Sequence, residues 1–200
     1  MITLFMLVMT MAQTQPVSEI LQAKYAGNNA RVQEILSTGV ELNIFEAAAT
    51  GQTARVRALI AADPARLNAY APDGFFPLAL AVFFGNAETA VALLDAGADV
   101  SQQSRESMRI AALHSASAAR RIDLAKMLIA RGANPNTRAD TGLTPLHSAA
   151  GNGQVDFATL LLSAGADISA ADDRGRTPLT LATEGKQEAM VAFLTQRGAK

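Results

Sequence analysis

Between residues 141 and 165 the apolar positions come in two short bursts. Leu146, Ala149 and Ala150 recur at three- and one-residue steps; after Gly153, Val155, Ala158, Leu161 and Leu162 follow at three- and four-residue spacing. That spacing predicts two helices, each with one apolar face. Polar and small residues frame both. Gly142 permits a turn, Thr144 can cap the first helix through its hydroxyl, and Pro145 suits the first helical position, where no N–H is needed. Gly153 is expected to end that helix, and Gly165 to stop the second in a left-handed turn. Asp167, Ile168 and Ser169 are expected to lead away as an extended arm. One such pair cannot bury its apolar faces alone, but stacked copies bury them in a continuous seam.

The copies are present. Pro145 and Pro178 stand 33 residues apart, as do Gly132 and Gly165, and Gly165 and Gly198. Gly97 precedes Gly132 by 35, and Pro77 and Gly85 take the places of Pro145 and Gly153. The pattern predicts five units, at about 43–71, 72–104, 105–138, 139–171 and 172–200, with a shorter N-terminal cap over 18–42. Unit three lacks the turn glycine, carries two extra residues and has Arg120 where the first-helix glycine belongs, so its loop is expected to be longer and more mobile. Unit two has Phe76 and Ala79 at the cap and imidazole positions, and unit five has Lys186 in place of the first-helix glycine.

The segments TPLHSAA, LLLSAGADIS and GRTPLTLA, at this 33-residue step, resemble the ankyrin repeat, and the resemblance covers residues 18–200. The stretches at 43–68 and 77–100 are similar to short bacterial ankyrin proteins. The resemblance implies an all-α ankyrin-repeat solenoid, a single domain of stacked helix-turn-helix pairs with β-hairpin-like loops. It makes Pro77, His114, Thr144, Pro145, His147, Thr177, Pro178, Gly97, Gly132, Gly165 and Gly198 structural repeat residues. It also implies protein–protein binding through a concave face of loop tips and first-helix ends.

The first residues stand apart. Ile2–Met9 is an apolar run, shorter than the roughly 20 residues a membrane span needs. With Thr10-Met11-Ala12 as a small-x-small cleavage site, residues 1–17 read as a secretory leader, although no Lys or Arg precedes the run. Export to the periplasm is therefore expected, with a cytoplasmic location as the alternative. A hydrophobic turn packed on the first repeat is the other reading of this segment.

Composition narrows the function. Half the chain is hydrophobic, aromatics make up 5% and Trp is absent, which suits closely stacked helices better than one bulky core. Seventeen Lys and Arg against eighteen Asp and Glu give a net charge of −1, so there is no basic field for a nucleic acid. Without cysteine there is no disulfide, thiol nucleophile or Cys-ligated metal. His114 and His147 both sit at the imidazole position of the repeat, where each ring is expected to bond backbone across neighbouring loops. Adjacent repeats would hold them about 10 Å apart, too far to share one ion, and no further Cys or His completes a ligand set. Ser115, Ser117 and Ser148 beside them form no nucleophile elbow, and no phosphate-binding glycine loop occurs. No catalytic constellation, cofactor or metal is expected.

Nine aromatics lie outside the leader, and five of them, Tyr70, Phe75, Phe76, Phe83 and Phe84, fall in fifteen positions. In the repeat register Phe75, Phe83 and Phe84 take variable positions facing a partner; the competing reading is packing, above all for Phe76 and Phe84. The other partner-facing candidates are Arg120, Arg121, Asp140, Thr141, Leu143, Asn152, Asp173, Arg174, Arg176 and Glu184. The expected function is a monomeric, non-catalytic module binding an unidentified protein, with neither nucleic acid nor an integral membrane span. The alternatives are a self-associating scaffold and an enzyme with an unread site.

Overall fold

The computed structural model describes residues 17–200. The expected leader lies outside the described residues except for Val17, which is buried and whose carbonyl accepts a bond from the Gln22 side chain. Twelve short α-helices follow: α1 (Glu19–Tyr25), α2 (Asn29–Ser37), α3 (Ile44–Thr50), α4 (Thr53–Ala62), α5 (Pro77–Phe84), α6 (Ala87–Asp95), α7 (Ala112–Ala118), α8 (Ile122–Ala130), α9 (Pro145–Gly151), α10 (Val155–Ser163), α11 (Pro178–Glu184) and α12 (Glu188–Gln196). A 3-10 turn, Pro64–Asn68, follows α4. Among the described residues there is no strand, only an isolated antiparallel bridge between Gln103 and Ala111. The fold is all-α, and the chain divides into two compact units. One runs to Asp99 and takes in Ser104–Ser107; the other holds Val100–Gln103 and Met108–Lys200.

In the first unit α3 packs on α5. Ala47, Ala48 and Ala49 are fully buried, as are Ala79, Ala81 and Val82, while Leu78, Leu80 and Phe76 are within 1% of it. Six of the eight residues of α5 are buried, which is why its sequence is apolar all round rather than amphipathic. In the second unit α9 packs between α7 and α11. Its Leu146, Ala149 and Ala150 are wholly buried, with Leu161 and Leu128 behind them.

One backbone group recurs in four of the five inner-helix starts. The N–H of the residue preceding the helix has no backbone partner, and the side chain three residues on accepts it. Glu46 accepts from Asn43 N–H at 2.8 Å, His114 Nδ1 from Ala111 at 3.2 Å, His147 Nδ1 from Thr144 at 3.1 Å and Thr180 Oγ1 from Thr177 at 3.3 Å. The Thr144 hydroxyl, expected to cap α9 directly, bonds the His147 ring at 2.9 Å instead, because that ring occupies the space over the first turn. Since both Nδ1 atoms accept an N–H, both rings carry their proton on Nε2. Those protons are donated onward to the next repeat: His114 to the Leu143 carbonyl at 3.1 Å and His147 to the Arg176 carbonyl at 2.9 Å.

A second tie works at the other end of the inner helices. The amide side chain that opens an outer helix reaches back to the carbonyl end of the previous repeat's inner helix. Asn86 donates to Ala48 and Ala49, Gln154 to Ser117 and Gln187 to Gly151. A Cβ at Gly153, which is left-handed at φ +64°, would push the Gln187 side chain aside. Arg120, at the matching site of unit three, adopts φ +57° despite its side chain, and Lys186 φ +54°. Asp167, Ile168 and Ser169 form a tight turn, not an extended arm, because the Asp167 carboxylate accepts both the N–H and the hydroxyl of Ser169.

Burial lowers the His114 imidazole to about 4, partly opposed by its bond to the Leu143 carbonyl. Burial also lowers His147, against the Arg176 carbonyl and the field of Asp172. Both rings are therefore neutral when folded, whereas an unfolded histidine titrates near 6.5. The unfolded chain takes up protons first, so this contribution is complete above about pH 6.5 and is lost as pH falls towards 4. For His114 it is on the order of 3 kcal/mol. Urea denaturation between pH 7.5 and 4 should show the midpoint falling through that window, with a shallower fall in His114→Gln. At pH 7, His147→Ala should lose roughly 2–4 kcal/mol, because it leaves a cavity and the buried Thr144 N–H without its partner, and takes from the Arg176 carbonyl one of its two donors.

Candidate protein-binding surface

In the first unit the aromatic cluster separates into a buried and a half-exposed part. Phe75 is 6% exposed, so its expected place among the exposed partner-facing residues is corrected. Its N–H donates to Asp73 Oδ1 and its carbonyl accepts from Ala71, and these two bonds turn the ring inward beside Phe76. Phe83 and Phe84 are half-buried and meet edge to face, centroids 5.1 Å apart. Phe84 is also covered from within the chain. The Tyr25 ring lies 5.4 Å from it and the Lys24 ammonium 4.7 Å above it, both from the end of α1. The Tyr25 hydroxyl then reaches the loop tip of unit two and donates to Asp73 Oδ2 at 3.1 Å. Burial raises the Tyr25 phenol well above 10, and the Asp73 charge adds to that rise. Burial likewise raises the Asp73 carboxyl, although the bonds from Phe75 N–H and Tyr25 hold it back.

In the second unit the loop tips are tied in series. Ala139 N–H closes on the Leu143 carbonyl, and Asp172 N–H on the Arg176 carbonyl. Successive tips are joined by Asp140 N–H to the Met108 carbonyl at 2.8 Å and Asp173 N–H to Thr141 at 3.1 Å. Side chains reinforce this. Gln103 donates to the carbonyls of Arg109 and Arg138, and Arg138 donates to the Ala171 carbonyl and to Asp173. The adjacent carboxylates Asp172 and Asp173 play different parts. Asp172 is buried, and burial would raise its carboxyl, but the Arg176 N–H and guanidinium and the Arg174 N–H hold it below the usual range. Asp173 is exposed at the tip, as are Asp140, Thr141 and Arg174, while Leu143 and Arg176 are half-buried. Arg176 also reaches the exposed Glu184 at 3.4 Å. At the far end of the inner helices, exposed Arg120 donates to the carbonyl of half-buried Asn152 at 3.0 Å, and exposed Arg121 opens α8.

The candidates thus fall into three groups: Phe83 and Phe84 in the first unit, and in the second the tip residues and the helix-end residues Arg120, Arg121 and Asn152. Sequence reasoning missed Tyr25, Asp73, Arg109 and Arg138. Arg109 was within reach, since it stands 33 residues before Gly142, at the turn-glycine place. Tyr25 gave no signal, because its partners lie 48 and 59 positions away. Among the described residues no group of three or more His, Cys, Asp or Glu could hold a metal ion, and no helix is long and apolar enough to cross a membrane.

Comparison with known families agrees with this repeat geometry. A family model for ankyrin repeats, in three copies, matches residues 113–200, and a single ankyrin-repeat model matches residues 73–105. The chain belongs to the ankyrin-repeat family, whose members are generally protein–protein interaction modules and typically non-catalytic. No curated protein matches the chain.

Two substitutions test the local account. Tyr25→Phe removes only the bond to Asp73 and should lower stability by about 1 kcal/mol, read as a shifted denaturation midpoint. Gly142→Ala should cost more, because a Cβ there would collide with Arg138, the Asp173 carboxylate and the Asp173 backbone, and φ is +75°. Its melting temperature should fall further than that of Tyr25→Phe.

Proposed function

We propose that this chain is a monomeric, non-catalytic module that binds a partner protein through its loop tips and the exposed ends of its inner helices. The observation that carries this reading is the serial tie of the second unit's tips, Met108 to Asp140 and Thr141 to Asp173. Backbone bonds hold the tips in place while their side chains stay exposed, so a partner meets a surface that needs little ordering on binding. Arg120, Arg121 and Arg174 steer the encounter, and the half-exposed Phe83–Phe84 pair supplies an apolar anchor on the first unit. The leader routes the chain out of the cytoplasm, and N-terminal sequencing of the protein recovered from cell fractions checks this.

The test is affinity capture from extracts of the source cells on the immobilised chain, beside two folded variants. One carries Phe83→Ser with Phe84→Ser, the other Asp173→Ala with Arg174→Ala. A protein retained by the parent and reduced at least tenfold on either variant supports the reading. Equal retention on all three refutes this surface. Sedimentation of the parent should give one monomer at all concentrations, and a mass that grows with concentration would favour the self-associating scaffold.

A further inference from the structure

The second unit has a cleft among the loop tips that the repeat architecture does not explain. It has a volume of about 260 Å³, and Gln103, Arg109, Arg138, Asp140, Gly142 and Asp173 are among the residues that line it. Four charged groups face it. Two of them satisfy each other, since Arg138 bonds Asp173 at 3.1 Å. The other two do not. Among the described residues the Arg109 guanidinium and the Asp140 carboxylate have no hydrogen-bond or ion-pair partner, although the Asp140 N–H to Met108 bond sets their stretches of chain side by side.

Arg109 is also strained. Its φ is +47°, a region a residue with a Cβ rarely enters. The same turn place is filled by Gly74, Gly142 and Gly175 in the other repeats, at φ +74° to +84°. A non-glycine there holds strained backbone. Two other cations share the conformation but sit at helix ends: Arg120 is held by the Asn152 carbonyl, and Lys186 stands exposed after α11. Arg109 instead lines the cleft.

We infer that Arg109 is a ligand-binding residue, and that the cleft takes a partner segment offering a carboxylate to Arg109 and a neighbouring cation to Asp140. The inference rests on the protein-binding reading above and names the chemistry its partner brings to the second unit. A guanidinium takes a carboxylate through two parallel N–H bonds, and the free carboxylate beside it favours a cation within a residue or so. A dianionic phosphate fits less well, because Asp140 and Asp173 would both repel it.

The test uses the full ¹⁵N-labelled chain and the capped dipeptide acetyl-Glu-Lys-amide, with acetyl-Gln-Gln-amide and capped phosphoserine as comparators. Saturable shifts are expected at Arg109 Nε and at the amides of Asp140, Gly142 and Asp173 for Glu-Lys, with none for Gln-Gln. Arg109→Gly should weaken binding at least tenfold while raising the melting temperature by roughly 2–4 °C as the strain is relieved. Arg109→Gln keeps the strained backbone without the charge and should lose binding equally. Asp140→Asn should bind Glu-Lys and Glu-Gln dipeptides alike. The inference is overturned by the absence of saturable shifts, by shifts that persist in both Arg109 variants, or by tighter binding of phosphoserine. Because the titration needs no natural partner, its failure leaves the protein-binding reading standing, and a failed capture leaves this one standing.

Discussion

A helix start set against a neighbouring repeat leaves a backbone N–H with no backbone partner, and this constraint recurs within each of the two units. The side chain three residues into the helix takes the N–H that precedes it. Glutamate, histidine and threonine all do so, at positions 46, 114, 147 and 180. Only imidazole has a second nitrogen on its far side. With Nδ1 committed to its own helix start, Nε2 must donate, and in both histidines it donates to a loop carbonyl of the next repeat. A capping interaction becomes a tie between repeats because the ring is rigid and its tautomer is fixed by the first bond. The lowered titration of both rings is the electrostatic signature of the same burial.

Where the ring is missing, a different solution appears. Unit two has Ala79 at the imidazole place and Phe76 as its cap residue, which makes no side-chain cap bond. In the same loop Asp73 accepts the Phe75 N–H and also the Tyr25 hydroxyl from α1. The cost is a half-buried carboxylate and a phenol whose proton is held tightly, and the gain is that a residue of the cap covers Phe84. The apolar surface left to a partner is therefore narrower than the sequence suggests, and centred on Phe83 and the free edge of Phe84. Phe75 and Phe76 belong to the interior.

The repeat itself was legible because turn, cap, helix stop and 33-residue step agree several times over, and each is a local signal. Pro145, Pro178 and the left-handed glycines at 97, 132, 165 and 198 are read from a few neighbours each. Exposure was not legible in the same way. Whether Phe75 faces water depends on two hydrogen bonds in its loop, and whether Asp172 or Asp173 meets solvent depends on which one the Arg176 backbone reaches. Both pairs are adjacent and chemically alike in the sequence. The clasp between Tyr25 and Asp73 depends on residues brought together across the first repeat, where small alanines let the cap approach; no periodicity encodes such a meeting.

The departures from the repeat also carry physical information. A glycine in a tight turn is replaced at small cost only by another residue that tolerates a positive φ, so a bulky cation there has to be supported or used. Arg120 shows support: its guanidinium donates to the carbonyl of Asn152, just past the end of the next inner helix. The bond returns part of the backbone strain as a tie between repeats, in the register where Gln154 and Gln187 make theirs with amides. Arg109 receives no such return from the fold. Its neighbours Arg138 and Asp173 are already matched to each other, and Gln103 bonds its carbonyl rather than its side chain. A sequence that keeps glycine at this place three times and arginine once has put a charge where the backbone least favours a side chain. The charge faces the tip side, where the backbone ties leave little freedom for anything but the side chains to adapt to a ligand.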